Sequence, residues 1–413
     1  MRVIRPVALK RLSPTRAVAD FGVNLSGWCR IRVRGKAGDT VELRYGERLF
    51  PDGRVDKEHI GKFVLSGENQ CDRYTLRGDG VEEWAPRFTF HVFQYCQIDG
   101  EPELESVTAE FVHTSFADAG NFESPDAELN ALQRAVQESY RGNFVGIPFD
   151  CPHREKNGWT GDAALSAQQF LMNMDVEDSL VEWLRCVCRA QRPDGALPGI
   201  IPTAGWGFDW GNGPAWDIAL TMLPFMLWRI NGNLDCFREC ADNIYLYIEY
   251  IPSRLDENAL AHYRLGDWCE VDGPGGELTT PLVVTDTLTL VNLTRMATEL
   301  FAAVGDETRS AACRELHDRL VAAFRKHLMN ADHTEVVPLS QAGQAMAMYY
   351  GAFTDEEKPA ALVGLKKAIE CYDGHIQTGV LGARTLFRVL SDMGETELAY
   401  RMITRPDYPS FAN

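Results

Sequence analysis

The chain has 413 residues, 45% hydrophobic and 24% charged, the balance of a folded globular protein with room for two domains. Its 41 Lys and Arg stand against 59 Asp and Glu, a net charge of −18, with no Lys/Arg cluster denser than Arg2 to Arg16. Such a surface repels phosphate backbones and anionic lipid, so nucleic acid and membrane partners are not expected, whereas a neutral polyhydroxylated ligand is tolerated.

Period-two alternation dominates the first ~115 residues. Cys29, Ile31 and Val33 alternate with Arg30 and Arg32, and Val41, Leu43 and Tyr45 repeat the pattern after a turn at Gly38-Asp39. Further strands are predicted at 72–76, 88–98 and 107–113, separated by Gly, Asp and Pro turns. The expected unit is an antiparallel β-sandwich over 1–118.

At Ser124-Pro125 the period changes, with Ser124 the expected helix cap and Pro125 in the first turn. Helices are predicted at 126–141, 162–173, 176–190, 217–231, 234–251, 282–304, 307–329, 339–351, 355–371, 379–392 and 394–404. Helices joined alternately by short and long loops imply an (α/α)6 toroid over 119–413. Its twelve-helix ring is expected to be about one helix short, with the last helix missing. Two loops, 192–216 and 252–281, are too long to be mere connectors.

The eleven cysteines lack disulfide-framework spacing; Cys186-x-Cys188 and Cys236-x3-Cys240 fall in helix-like runs and read as free thiols. No apolar leader opens the chain, so a cytoplasmic protein is expected. None of the nine histidines stands at ligand spacing with another His or Cys, so no metal is expected. Phosphate-cradling, nucleophile-elbow and dinucleotide motifs are absent, so no cofactor is expected either.

The stretch from Asp150 to Asp162, Asp-Cys-Pro-His-Arg-Glu-Lys-Asn-Gly-Trp-Thr-Gly-Asp, holds three carboxylates, a Trp and two glycines just before a helix. Trp159, Trp206, Trp210, Trp216 and Trp268 lie in this motif and the long loops, accompanied by Asp209, Asp217, Asp267 and Glu270. Indole faces stack on sugar C–H faces, and carboxylates grip paired hydroxyls or protonate a leaving oxygen. Structural roles compete with this reading: Asp162 suits a helix first turn, Asp267 a turn cap, Arg154 an ion pair with Asp150, and His375 a packing site.

These motifs, with Asp20-Phe-Gly-Val-Asn-Leu-Ser-Gly-Trp28, Gly213-Pro-Ala-Trp-Asp217, Gly266-Asp-Trp268, His375-Ile-Gln-Thr-Gly379 and Tyr408-Pro-Ser410, resemble the bacterial α-L-rhamnosidases, glycoside hydrolase family 78. The resemblance implies a β-sandwich followed by a six-hairpin catalytic domain that releases terminal α-L-rhamnose from rhamnosides with inversion. By that resemblance Glu155 is the general acid. Asp150, Arg154, Trp159, Asp162 and Trp216 meet the sugar, with Asp217, Asp267, Trp268 and His375 completing the expected substrate-binding set. The family's general base follows a Tyr-Pro-Ser segment, where this chain stops. The expectation is therefore a truncated rhamnosidase whose sugar half-site survives and whose catalysis is compromised. A non-catalytic carbohydrate-binding fragment, or an (α/α)6 hydrolase acting on another sugar, is the competing reading.

Overall fold

A computed structural model describes residues 2–61, 64, 68–203, 205–208, 210–271 and 278–412. The alternating region becomes β1 (Arg2–Ile4), β2 (Ala8–Ser13), β3 (Arg16–Arg34), β4 (Thr40–Gly46), β5 (Arg48–Leu49), β6 (Val55–Asp56), β7 (Cys71–Thr75), β8 (Val81–Trp84), β9 (His91–Gly100) and β10 (Glu103–Phe111), with a one-turn helix α1 (Glu58–Gly61). Eight strands form one antiparallel sheet in the order β1-β10-β3-β9-β4-β7, with β2 and β8 also on β3. β3 is long enough to change partners along its length. Its first residues, Arg16–Asp20, pair with β2 and β9, whereas Gly27–Arg34 pair with β10 and Ile31–Arg34 with β8. The strand changes register near Gly22, and at Gly27 a Cβ would stand 1.9 Å from the Glu110 carbonyl oxygen, so the crossing admits glycine alone. The residues that alternate in sequence, Cys29, Ile31, Val33, Val41, Leu43 and Tyr45, are the buried face, closed by Phe93, Cys96 and Phe111.

The helical region comprises α2 (Ala127–Gly142), α3 (Thr160–Asn173), α4 (Glu177–Ala190), α5 (Pro214–Asp217), α6 (Ala219–Asn231), α7 (Asp235–Tyr250), α8 (Leu282–Ala303), α9 (Glu307–Leu328), α10 (Gln341–Tyr349), α11 (Lys358–Glu370), α12 (Val380–Asp392) and α13 (Thr396–Ile403). α3 packs on α6, α6 on α8, α8 on α10, α10 on α12, and α12 returns to α3. α4 and α7 back α6, while α9, α11 and α13 back α8, α10 and α12. The ring explains composition. α8 is buried nearly all round, as a helix enclosed on every side must be, whereas its outer partner α9 buries only a stripe.

Caps were only partly where the sequence placed them. Asp126, not Ser124, starts α2: its carboxylate accepts from Glu128 N at 2.7 Å and Leu129 N at 3.3 Å, while Ser124 Oγ accepts from Asp126 N. Pro125 has no N–H to offer, so the cap moves one residue beyond it.

The chain divides into two compact units, Met1–Phe116 with Arg134–Asn157, and Ala117–Gln133 with Gly158–Asn413. Residues 134–157 thus group with the sheet, across the 118/119 division expected from the sequence. A short hairpin, β11 (Phe144–Val145) and β12 (Ile147–Pro148), makes the attachment. Thr114 N donates to Phe144 O at 2.8 Å, Gly146 N donates to Thr114 Oγ1 at 2.8 Å, and Phe116 meets Phe144 edge to face at 5.0 Å. All eleven cysteines are free thiols. Among the described residues no helix is long and apolar enough to cross a membrane.

Candidate active site

In the sheet unit, the chain after β12 doubles back on itself between Asp150 and Asn157. Asp150 N donates to Asn157 O at 3.2 Å, Lys156 N to Cys151 O at 3.1 Å, and Asn157 N to Asp150 Oδ1 at 3.1 Å. Lys156 adopts φ +54, a left-handed conformation rare for a side-chain-bearing residue. The fold brings a carboxylate oxygen of Asp150, one of Glu155 and the Cys151 sulfur within 4.8 Å of one another. Burial raises the Asp150 carboxyl to about 6, and the neighbouring Glu155 charge pushes the same way. Burial, with Asp150 beside it, holds the Cys151 thiol up at about 12. Arg154 Nε lies 3.7 Å from Glu155 Oε1, an ion pair between neighbours in the loop. The triad of donors is a set that could hold a thiophilic divalent ion, which histidine spacing gave no means to foresee.

In the helical unit, Trp159 stands at the N-cap of α3 in extended conformation and bridges to Ile200. Thr160 N and Oγ1 both donate to Gly199 O, at 2.9 and 3.1 Å, which fixes the start of the helix. The Trp159 ring is the hub of an indole cluster, 5.4 Å from Trp210, 6.3 Å from Trp206 and 6.4 Å from Trp216. Trp216 lies against Gly161, where a Cβ would meet the indole at 2.5 Å. Asp162 follows in the first turn of α3. Trp206 and Trp268 are about half exposed, at 46% and 47%, and Trp159 and Trp216 are buried. Asp209 lies outside the described residues.

Three of the expected sugar contacts hold structural hydrogen bonds. Asp267 is fully buried: it accepts from Gly379 N at 2.8 Å, Leu381 N at 2.7 Å and Gly382 N at 2.9 Å, so both oxygens are spent on the first turn of α12. Burial still raises it to about 6. Asp217 is likewise buried; Oδ2 accepts from Tyr247 Oη at 2.8 Å and Gly213 N at 3.1 Å, which ties the α5 turn to α7. His375 presents Nδ1 to Pro409 O at 3.0 Å and Nε2 to Asp407 at 3.3 Å, so its ring is occupied by the 407–409 segment.

One acid went unnoticed in the sequence. Asp286, inside α8, is buried with Oδ2 accepting from Tyr263 N at 2.7 Å, and burial raises it to about 7. Its signal was a lone carboxylate in an otherwise apolar Val-Thr-Asp-Thr-Leu run. Asp217 is pushed further, to about 8, by burial against the opposing pull of its hydrogen bonds. Asp217 Oδ1, Asp286 Oδ1 and Trp216 Nε1 are buried without a hydrogen-bond partner among the described residues.

A ring of helical hairpins that follows an antiparallel sheet domain along the chain, with carboxylates and indoles carried on the loops, defines a six-hairpin glycosidase. The comparisons narrow that class. The bacterial alpha-L-rhamnosidase 6 hairpin glycosidase domain matches residues 117–413, and the bacterial alpha-L-rhamnosidase concanavalin-like domain matches residues 10–113. This chain belongs to the bacterial α-L-rhamnosidase family. It is 31% identical to an α-L-rhamnosidase of Streptomyces avermitilis over 98% of this chain and 39% of the relative, and 26% identical to one of Formosa agariphila over 97% and 43%. The structure of α-L-rhamnosidase from Dictyoglumus thermophilum superposes with a TM-score of 0.92 at 27% identity, covering 100% of this chain and 47% of that one. That of the Streptomyces avermitilis α-L-rhamnosidase complexed with L-rhamnose gives 0.92 at 30%, covering 100% and 39%. The chain thus spans less than half the length of these relatives.

Proposed function

We propose that the protein hydrolyses terminal α-L-rhamnosides, with Glu155 protonating the glycosidic oxygen as the bond to rhamnose breaks. The observation that carries this reading is the Asp150–Glu155 pair, two carboxylates within 4.8 Å in a loop that the rhamnosidase motif spells. Burial raises Asp150 to about 6, which marks this loop as the kind of setting where catalytic carboxyls are found. Asp150 does not serve as the water-activating base. An inverting pair stands roughly 6.5–9.5 Å apart to leave room for water, and these two are closer.

Arg154, Trp159, Asp162 and Trp216 keep the sugar-contact roles suggested by the motif, and half-exposed Trp268 keeps a stacking role at the rim. Asp217 is reassigned to support: it fixes the turn that presents Trp216. The relative solved with L-rhamnose supports rhamnose as the released sugar. Eleven free thiols support a reducing compartment as the place of work.

Incubation with a flavonoid rhamnoside and chromatography of the products tests the substrate class. Free rhamnose is the expected product; release of glucose or a uronic acid would move the protein to another six-hairpin activity. Calorimetric binding of L-rhamnose with no hydrolysis of any rhamnoside would favour a carbohydrate-binding role.

A further inference from the structure

A side chain of the acid-bearing loop reaches the segment just before β9 in its own unit. Lys156, next to Glu155, sends its ammonium to Phe90, just before β9: Nζ donates to the Phe90 carbonyl at 2.6 Å and sits 4.4 Å from the centre of the Phe90 ring. Phe90 in turn stacks on Phe149, one residue before Asp150, at 5.7 Å. Lys156 therefore grips a ring that also packs on the other end of the loop. Asp72 adds an attractive charge from the sheet; it is held by Tyr45 Oη at 2.8 Å and His91 Nε2 at 3.0 Å. Burial works against the ammonium and lowers its pKa, so the contact is kept at a cost. The backbone also carries strain here, since Lys156 holds φ +54 where glycine would sit easily. A strained, half-buried lysine beside a proton donor is not what packing alone selects, because a glycine or an apolar side chain would satisfy the turn or the burial more cheaply.

We propose that Lys156 is a positioning residue for Glu155, clamping the loop to Phe90 so that the carboxyl is held in one place. The proposal rests on the reading of Glu155 as proton donor, and its test separates the two. Hydrogen–deuterium exchange of segment 150–157 is measured in the wild type and in Lys156→Met, Lys156→Arg and Lys156→Gly, with Tm recorded for each. Lys156→Met is expected to speed exchange of the loop about tenfold while leaving β9 unchanged. Lys156→Arg, which keeps the charge, the donors and the stacking, is expected to restore most of the protection. Lys156→Gly relieves the positive φ and yet should loosen the loop like Met, because the clamp is gone. Unchanged exchange in Lys156→Met, an equal loosening of β9, or wild-type protection in Lys156→Gly would each overturn the clamp. Glu155→Gln is assayed alongside on an aryl α-L-rhamnoside. Turnover undiminished by that change refutes the functional reading, whereas the exchange comparison still decides whether Lys156 holds the loop.

Discussion

A carboxylate oxygen of Asp150 lies within 4.8 Å of one on Glu155, although five positions separate them in an irregular loop. Burial, helped by the nearby Glu155 charge, keeps Asp150 protonated up to about 6. If ionised Asp150 accepts from sugar hydroxyls, kcat/KM rises with pH through an apparent pKa near 6. Asp150→Asn should remove that acidic limb and cut kcat/KM by about 100-fold. Rate profiles of both proteins on an aryl α-L-rhamnoside check it; a limb that survives in the variant belongs to another group.

Stability should fall as the solution becomes alkaline. Asp217 and Asp286 keep their protons to about 8 and about 7 in the folded chain, against 3.8 for an ordinary aspartate. The folded state therefore binds more protons than the unfolded state above that ordinary value, so stability is lost as pH rises and the loss is complete above the folded pKa. Tm is expected to drop between about pH 4 and about pH 8, by roughly 2–4 °C for each kcal/mol lost, and to level off above that. Asp217→Asn keeps an acceptor for Tyr247 and Gly213 without a charge, and should flatten the upper part of that decline. A decline of equal slope in the variant would remove Asp217 from the account.

Gly161→Ala tests the indole cluster. The new methyl group would stand 2.5 Å from Trp216, which must move or the start of α3 must shift. Overpacking of this kind costs about 1–3 kcal/mol. The change should also alter near-UV circular dichroism and weaken L-rhamnose binding, both measurable on the purified protein. A variant with native Tm and native rhamnose affinity would show that Trp216 has slack at this contact.

Asp267→Ala separates a cap from a ligand contact. Three buried N–H groups of α12 lose their acceptor, a loss of about 2–4 kcal/mol, partly offset because a buried charge is removed. Urea denaturation should show the loss, and rhamnose affinity of the folded variant should change by less than about threefold. Reduced affinity with stability intact would return Asp267 to the sugar-binding set.

What the sequence disclosed and what it hid follow the range of the interactions involved. Helical periodicity is local, so α3, α4, α7, α8 and α9 begin and end within a few residues of expectation. The short α5 was missed because Pro214 to Trp216 lie at the end of the long loop expected at 192–216. The first half of β3 was missed because Phe21 to Asn24 carry a bulge that spoils alternation. Motif residues could be named, but not what they touch. Asp267 gives no hint that Gly379, 112 positions later, claims its carboxylate, and Lys156 none that Phe90, 66 positions earlier, receives its ammonium. The contacts of Thr114 and Phe116 with Phe144, inside the sheet unit, follow no local pattern either.

The central claim is that Glu155 is the proton donor of a rhamnoside hydrolase, and proton NMR of the reaction with an aryl α-L-rhamnoside tests it most directly. The account predicts that the β-anomer of L-rhamnose appears first, and that Glu155→Gln slows its release by about 10²–10⁴-fold with KM little changed. Undiminished release in Glu155→Gln, or the α-anomer as the first product, would contradict it.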